Sequence, residues 1–138
     1  MTPSGPDDEG VNLSSRGRLW QKMLSQLGHF VRLKPPELKK EDEPDDMRIG
    51  AFLHQMVTDT IAKVREVKKA DKSVILVGWG VAAAVNCQVA AMEPVSACVC
   101  LGFPMFTLEG ARGDADDPIL DLRSHVLFVV GEVSYLII

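Results

Sequence analysis

Apolar positions recur along this chain with two different periods, and the change of period organises it. Leu19, Trp20, Met23, Leu24 and Leu27 fall at the three- and four-residue spacing of a helix face, with Ser14 or Ser15 placed to cap the helix and Gly28 to end it. Residues 30–33 suit a short strand. A longer stripe, Ile49, Phe52, Leu53, Met56, Val57, Ile61, Val64 and Val67, predicts a second helix capped by Asp45 or Asp46. Lys63, Arg65, Lys68 and Lys69 crowd its C-terminal end, where the helix dipole favours cations. His54 falls on or beside that stripe and reads as a core-edge residue, since no ligand-type side chain stands one turn away.

Beyond a turn around Asp71 the helical period gives way to short unbroken runs at 74–77, 95–101 and 126–130. Such runs suit strands buried on both faces, as in a parallel sheet. Between the first two lies the Ala-rich stretch 81–92, long enough for a crossover helix and closed by Pro94. Strand, helix and strand then form a βαβ unit, expected to be right-handed. The fold class read from this order is α/β, a parallel sheet with flanking helices. Residues 1–13 read as a disordered lead, and 34–46 as a charged, proline-containing loop within a single domain spanning 14–138.

Composition changes that picture little. The 138 residues carry 15 Lys+Arg against 19 Asp+Glu, a net charge of -4, which argues against a broad phosphate-binding surface. Cys87, Cys98 and Cys100 are an odd set with no CxxC spacing, so they predict buried thiols in a reducing compartment and no metal or disulfide framework. None lies at a loop or helix N-terminus, where a thiolate would be stabilised. The start of the chain lacks a basic, then apolar secretory signal, so the Asn12-Leu13-Ser14 sequon and the Arg112-Gly113-Asp114 tripeptide carry no extracellular meaning. The uncharged run 73–92 is long enough to span a bilayer. Gly78-Trp79-Gly80 breaks it, and β-branched residues precede the break while alanines follow it. Strand, turn and buried helix explain that order without a membrane. In the long loop 102–124, Asp114, Asp116 and Asp117 lack the glycine and distal glutamate of a calcium loop, and are expected to cap a short helix at 119–122.

Chemistry would be expected at the turn between the first strand and its helix. An α/β-hydrolase holds its nucleophile there, in a G-x-S-x-G elbow whose strained turn lifts the serine above the sheet. The five positions here read Gly78-Trp79-Gly80-Val81-Ala82. Gly80 occupies the nucleophile position and offers no attacking group, and Ala82 replaces the last glycine. The acid would follow the strand at 126–130, where Glu132 is available. The base would be a histidine after the last strand, and His29, His54 and His125 all lie outside that slot. The expectation is a degenerate elbow at Gly78, Gly80 and Ala82, no catalytic residue, no cofactor and no metal.

Several segments together resemble the third subunit of the non-specific lethal (NSL) complex, a family of α/β-hydrolase-like proteins. They are Val74-Ile75-Leu76-Val77-Gly78-Trp79, Met92-Glu93-Pro94-Val95, Val99-Cys100-Leu101-Gly102-Phe103-Pro104, Arg112-Gly113-Asp114-Ala115-Asp116-Asp117-Pro118 and Val126-Leu127-Phe128-Val129-Val130-Gly131. Residues 16–31, with Trp20, Leu24 and Leu27-Gly28, are similar to the helix and strand upstream in that subunit. The resemblance extends over roughly 14–131, and the wording of the loop 101–118 makes it specific. It implies a non-catalytic, nuclear subunit of an assembly built around a MYST-type histone acetyltransferase, with the other NSL subunits as partners and no direct nucleic-acid or membrane binding. In that family an Asn commonly holds the nucleophile position, so Gly80 and Ala82 are departures, though neither restores a nucleophile. A wider relationship to dienelactone-hydrolase-like proteins would explain the fold and transfer no activity. A complete hydrolase sheet has about eight strands, so the domain is expected to be partial, incomplete at both ends. The alternative function is an esterase-like serine hydrolase whose catalytic residues lie outside this chain.

Overall fold

The computed structural model describes residues 15–37, 45–107 and 110–131. The expected disordered lead, most of the charged loop and Glu132 lie outside these. The chain divides into two units, Met1–Lys34 and Pro35–Ile138.

The first unit contains helix α1 (Ser15–Ser25), which closes through two turns, Gln26 N–H to the Met23 carbonyl and Leu27 N–H to the Leu24 carbonyl. Residues 30–33 are not a strand. A strand exists only through a ladder with a neighbour, and the recorded pairings offer this segment none.

In the second unit α2 (Asp45–Lys69) is followed by β1 (Ile75–Trp79), α3 (Val81–Met92), β2 (Ala97–Leu101), β3 (Phe106–Thr107), β4 (Gly110–Ala111), a 3-10 turn (Pro118–Asp121) and β5 (His125–Val129). The uncharged run thus divides into a strand and a twelve-residue helix. No helix among the described residues is long and apolar enough to cross a membrane.

β1, β2 and β5 form one parallel sheet in that order, with Trp79, Leu101 and Val129 level at one end and Ile75, Ala97 and His125 at the other. The protein is therefore mixed α/β, with a three-stranded parallel sheet and helices against it. The strand starting at Ala97 is shorter than the run suggested, but Val95 and Ser96 are still held. Val95 N–H donates to Ser124 Oγ and Ser96 N–H to the Val74 carbonyl.

The layers stack as sheet, α3, α2. Leu76, Cys98 and Cys100 point from the sheet into the core, where Ala83, Val85, Cys87, Val89 and Ala90 of α3 meet them, and Val57 and Val64 of α2 close the far side. Among the described elements none packs on the opposite sheet face. Ile75 is 61% exposed, Leu127 57% and Val129 48%. Burial of the strands on both faces is thus corrected to burial on one. The reason lies in topology: connections of one handedness that step in one direction across a sheet land on one face. The second connection keeps to that face, since its 3-10 turn rests on α3. His54, expected at the core edge, is exposed; it lies one position off the stripe that α2 buries.

Two glycine substitutions should separate space from propensity. A β-carbon at Gly78 would lie 2.7 Å from the carbonyl carbon and oxygen of Ala82 and from Asn86 Nδ2. Gly78→Ala should destabilise by about 1–3 kcal/mol, the usual range for overpacking. Gly50, inside α2 with open space around it, should give the opposite sign, a gain of about 0.5–1 kcal/mol on Gly50→Ala. Urea unfolding of both variants checks the pair.

Candidate functional site

The turn between β1 and α3 takes its shape from its glycines. Gly78 ends the buried part of β1 and lets the first turn of α3 lie directly on the strand. Gly80 has φ 54 and ψ -119, a left-handed conformation that a side chain disfavours. Its N–H donates to the Leu101 carbonyl at 2.9 Å, tying the turn to the neighbouring strand. Its carbonyl accepts from Ala83 N–H at 3.0 Å, which starts α3. No heavy atom lies within 4 Å of where a Gly80 β-carbon would be. The apex therefore faces open space and contributes no side chain to it. Ala82 supplies the backbone that Gly78 meets.

The other sequence-proposed residues do not converge on this turn. His125 opens β5 at the opposite end of the sheet, level with Ile75. Four strand residues separate that end from the turn, roughly 13 Å at the usual rise. His54 faces solvent on α2 and His29 belongs to the other unit. Among the described residues no group of His, Cys, Asp and Glu is arranged to hold a metal ion.

Gly102, where β2 ends, repeats the device. Its φ is 57 and its N–H donates to the Val129 carbonyl at 2.7 Å. The left-handed exit glycine is thus shared by a turn with a catalytic counterpart elsewhere and by an ordinary loop start.

Sequence reading missed the organisation of the loop that follows. β3 and β4 form a small antiparallel ribbon. Arg112 lies over the Phe103 ring at 5.2 Å, and Phe103, fully buried, meets Phe128 edge-on at 4.9 Å between centroids. Asp117 is the one acid of the three that is built in. One of its oxygens accepts from Gly113 N–H and the other from Ile119 N–H, with the Arg112 guanidinium 3.8 Å away. Burial opposes ionisation of Asp117, but the two N–H donors and Arg112 outweigh it and hold the carboxyl below its ordinary range. Asp114 and Asp116 are exposed. The expected capped helix is the 3-10 turn Pro118–Asp121, with Asp117 as its cap.

Between this loop, α3 and α2 lies a cavity of about 850 Å³, walled by Leu53, Val81, Cys87, Phe103, Arg112 and Ile119 among others. The wall is mainly apolar, and its charged and thiol groups are Arg112, the three aspartates Asp114, Asp116 and Asp117, and Cys87. All three cysteines are buried and free.

No family model matches the chain, and no solved structure matches it. Among curated proteins, "Protein sumv-2" of Caenorhabditis elegans is 33% identical over 116 residues, which cover 80% of this chain and 10% of that protein. The chain therefore spans about a tenth of the length of the relative it matches.

Asp117→Ala should cost about 1–3 kcal/mol, because two backbone donors and Arg112 lose their acceptor together. Asp117→Asn removes the charge and leaves one acceptor where the carboxylate offers two. A carboxyl depressed by folding stabilises above its unfolded pKa of about 3.9 and loses that contribution as pH falls through the lower folded value. The stability gap between wild type and Asp117→Asn should be full at pH 5 and narrow below about pH 4, as thermal unfolding across that range would show.

Proposed function

We propose that this chain belongs to a non-catalytic subunit of a nuclear histone acetyltransferase assembly of the NSL type, and that its strand–turn–helix is a hydrolase-like elbow that has lost its nucleophile. The observation carrying the non-catalytic part is the apex of the turn. Gly80 keeps a backbone conformation that would hold a side chain free above the sheet, and it has no side chain to hold there. Nucleophilic catalysis needs a hydroxyl or thiol with a base in hydrogen-bond reach. The described histidines lie at the far strand ends, on an exposed helix face, or in the other unit. The assembly rests on the wording of the segments from Val74 to Gly131, the loop 101–118 above all. Under this reading the fold presents surfaces to neighbouring subunits and requires no cofactor. The competing reading, an esterase-like hydrolase with its remaining catalytic groups outside this chain, would need another residue to supply the attacking atom.

Two experiments test the proposal. Tagged chain expressed in nuclei should recover the acetyltransferase and its companion subunits, as a full-length relative does; reproducible failure under conditions where the relative succeeds would remove the partner assignment. The chain should not hydrolyse nitrophenyl esters above an unrelated-protein control, nor take up a fluorophosphonate. Gly80→Ser should remain inactive, with a stability loss of about 1–3 kcal/mol for a side chain at positive φ. Labelling of the unmodified chain at one residue, abolished by substituting it, would overturn the non-catalytic reading.

A further inference from the structure

Cys87 stands on α3 and Cys100 on β2, and folding brings their Sγ atoms to 3.5 Å. Cys98 faces the same way two residues earlier, but its recorded neighbour is the Asn86 carbonyl at 3.9 Å. The two paired thiols differ in access. Cys100 is fully buried between helix and strand, with the Ala83 carbonyl 3.8 Å away. Cys87 is 4% exposed and forms part of the cavity wall that also carries Arg112 and the aspartates Asp114, Asp116 and Asp117.

They differ in acidity too. The hydrogen bond from Cys100 draws the Cys87 thiol below its ordinary range against the effect of burial; Arg112 assists and Asp117 opposes. The same bond, with burial, pushes Cys100 up. Cys98, without such a donor, is pushed up by burial to about 11. A thiolate rather than a thiol is the nucleophile toward oxidants.

We infer that Cys87 and Cys100 are an oxidisable dithiol: a hydroperoxide admitted through the cavity reacts at Cys87, and Cys100 resolves the product as a disulfide joining α3 to β2. In the first step the Cys87 thiolate attacks one peroxide oxygen. An S–O bond forms, the O–O bond breaks, and the departing oxygen takes a proton and leaves as water or alcohol. In the second step the Cys100 sulfur attacks the sulfenic sulfur. An S–S bond forms, the S–O bond breaks, and water leaves with the Cys100 proton. Both sulfurs are oxidised by one electron and the peroxide is reduced by two. The sulfurs must approach by roughly 1.5 Å to reach the bond length of about 2.05 Å. The proposal is independent of the acetyltransferase reading, because it uses neither the elbow nor a partner.

The full chain, treated with hydrogen peroxide and then alkylated with N-ethylmaleimide in denaturant, decides it. The mass should fall by two hydrogens before alkylation, with one thiol alkylated instead of three. Val89 and Val95 lie between Cys87 and the other two cysteines, and Val99 between those two, so thermolysin, which cuts before apolar residues, separates all three. The linked peptides should join Cys87 to Cys100, with the alkyl group on Cys98. Cys98→Ala should leave the link intact. Cys100→Ser, which keeps a hydroxyl donor beside Cys87, should abolish it and leave a Cys87 sulfenic acid that dimedone traps. Phenylarsine oxide, which bridges close thiols with loss of water, should bind the reduced chain at one equivalent and protect it from the peroxide. In guanidinium the selectivity should vanish, because the pairing belongs to the fold. Three alkylatable thiols after peroxide sufficient to oxidise glutathione, a link through Cys98, or the same pairing pattern in folded and unfolded chain would each overturn the proposal.

Discussion

The contact between Gly78 and the first turn of α3 leaves no room for a β-carbon, and the rest of the described core is arranged around it. A helix can lie this close to a strand only where the strand offers bare backbone. Ala82 and Asn86 use that space on the first turns of α3, and the small side chains of Ala83 and Ala90 continue the close packing along the helix. A larger residue at Gly78 would lift α3 from the sheet. Cys87 would then leave Cys100, the cavity along the helix flank would change shape, and α2, which packs on α3, would lose its seat.

The sheet is one-sided as a consequence of its connections. Both routes out of a strand, through α3 and through the loop after Gly102, return over the same face. The described residues of the loop form no α-helix, and a different set of interactions gives it shape. Arg112 lies over Phe103 and faces Asp117, while Asp117 receives two backbone donors and caps the turn that rests on α3. One carboxylate thus joins three parts of a loop with little regular structure. The uncovered face, apolar at Ile75, Leu127 and Val129, is the opposite of what β-branched runs suggest in isolation.

The two places where chemistry could reside have opposite characters. At the turn into α3 the backbone is strained and the side chain is missing. Beside α3 the backbone is regular helix and a thiol is present, with a second thiol behind it and a cation and three carboxylates in the same cavity. Gly102 shows why backbone strain alone says little about activity: it exits β2 with nearly the same φ as Gly80 and donates to the next strand in the same way, in a loop for which no catalytic role was expected. A left-handed exit lets each strand's following N–H reach its neighbour's last carbonyl, a structural use sufficient to explain it.

The helices and the βαβ unit were legible in the sequence because both rest on local periodicity. The stripe from Ile49 to Val67 closely matches α2, and the alanine-rich stretch after Gly80 is α3, ended before Pro94. The elbow glycines were legible as well, since spacing along the chain is what defines that turn. Residues 30–33 have strand-like side chains without being a strand, because a ladder needs a neighbour the local sequence does not specify. Cysteine spacing pointed to inert buried thiols, since the pair that meets is separated by 13 positions and contact depends on the phase of α3 over β2. The importance of Asp117 over Asp114 and Asp116 was equally hidden, because three like side chains in four positions differ only in which backbone donors surround them. Periodicity and punctuation therefore determined the elements and their order. Which face of the sheet is covered, which thiols touch and which acid is built in depend on distances between parts remote in the chain, and only the tertiary structure decided those.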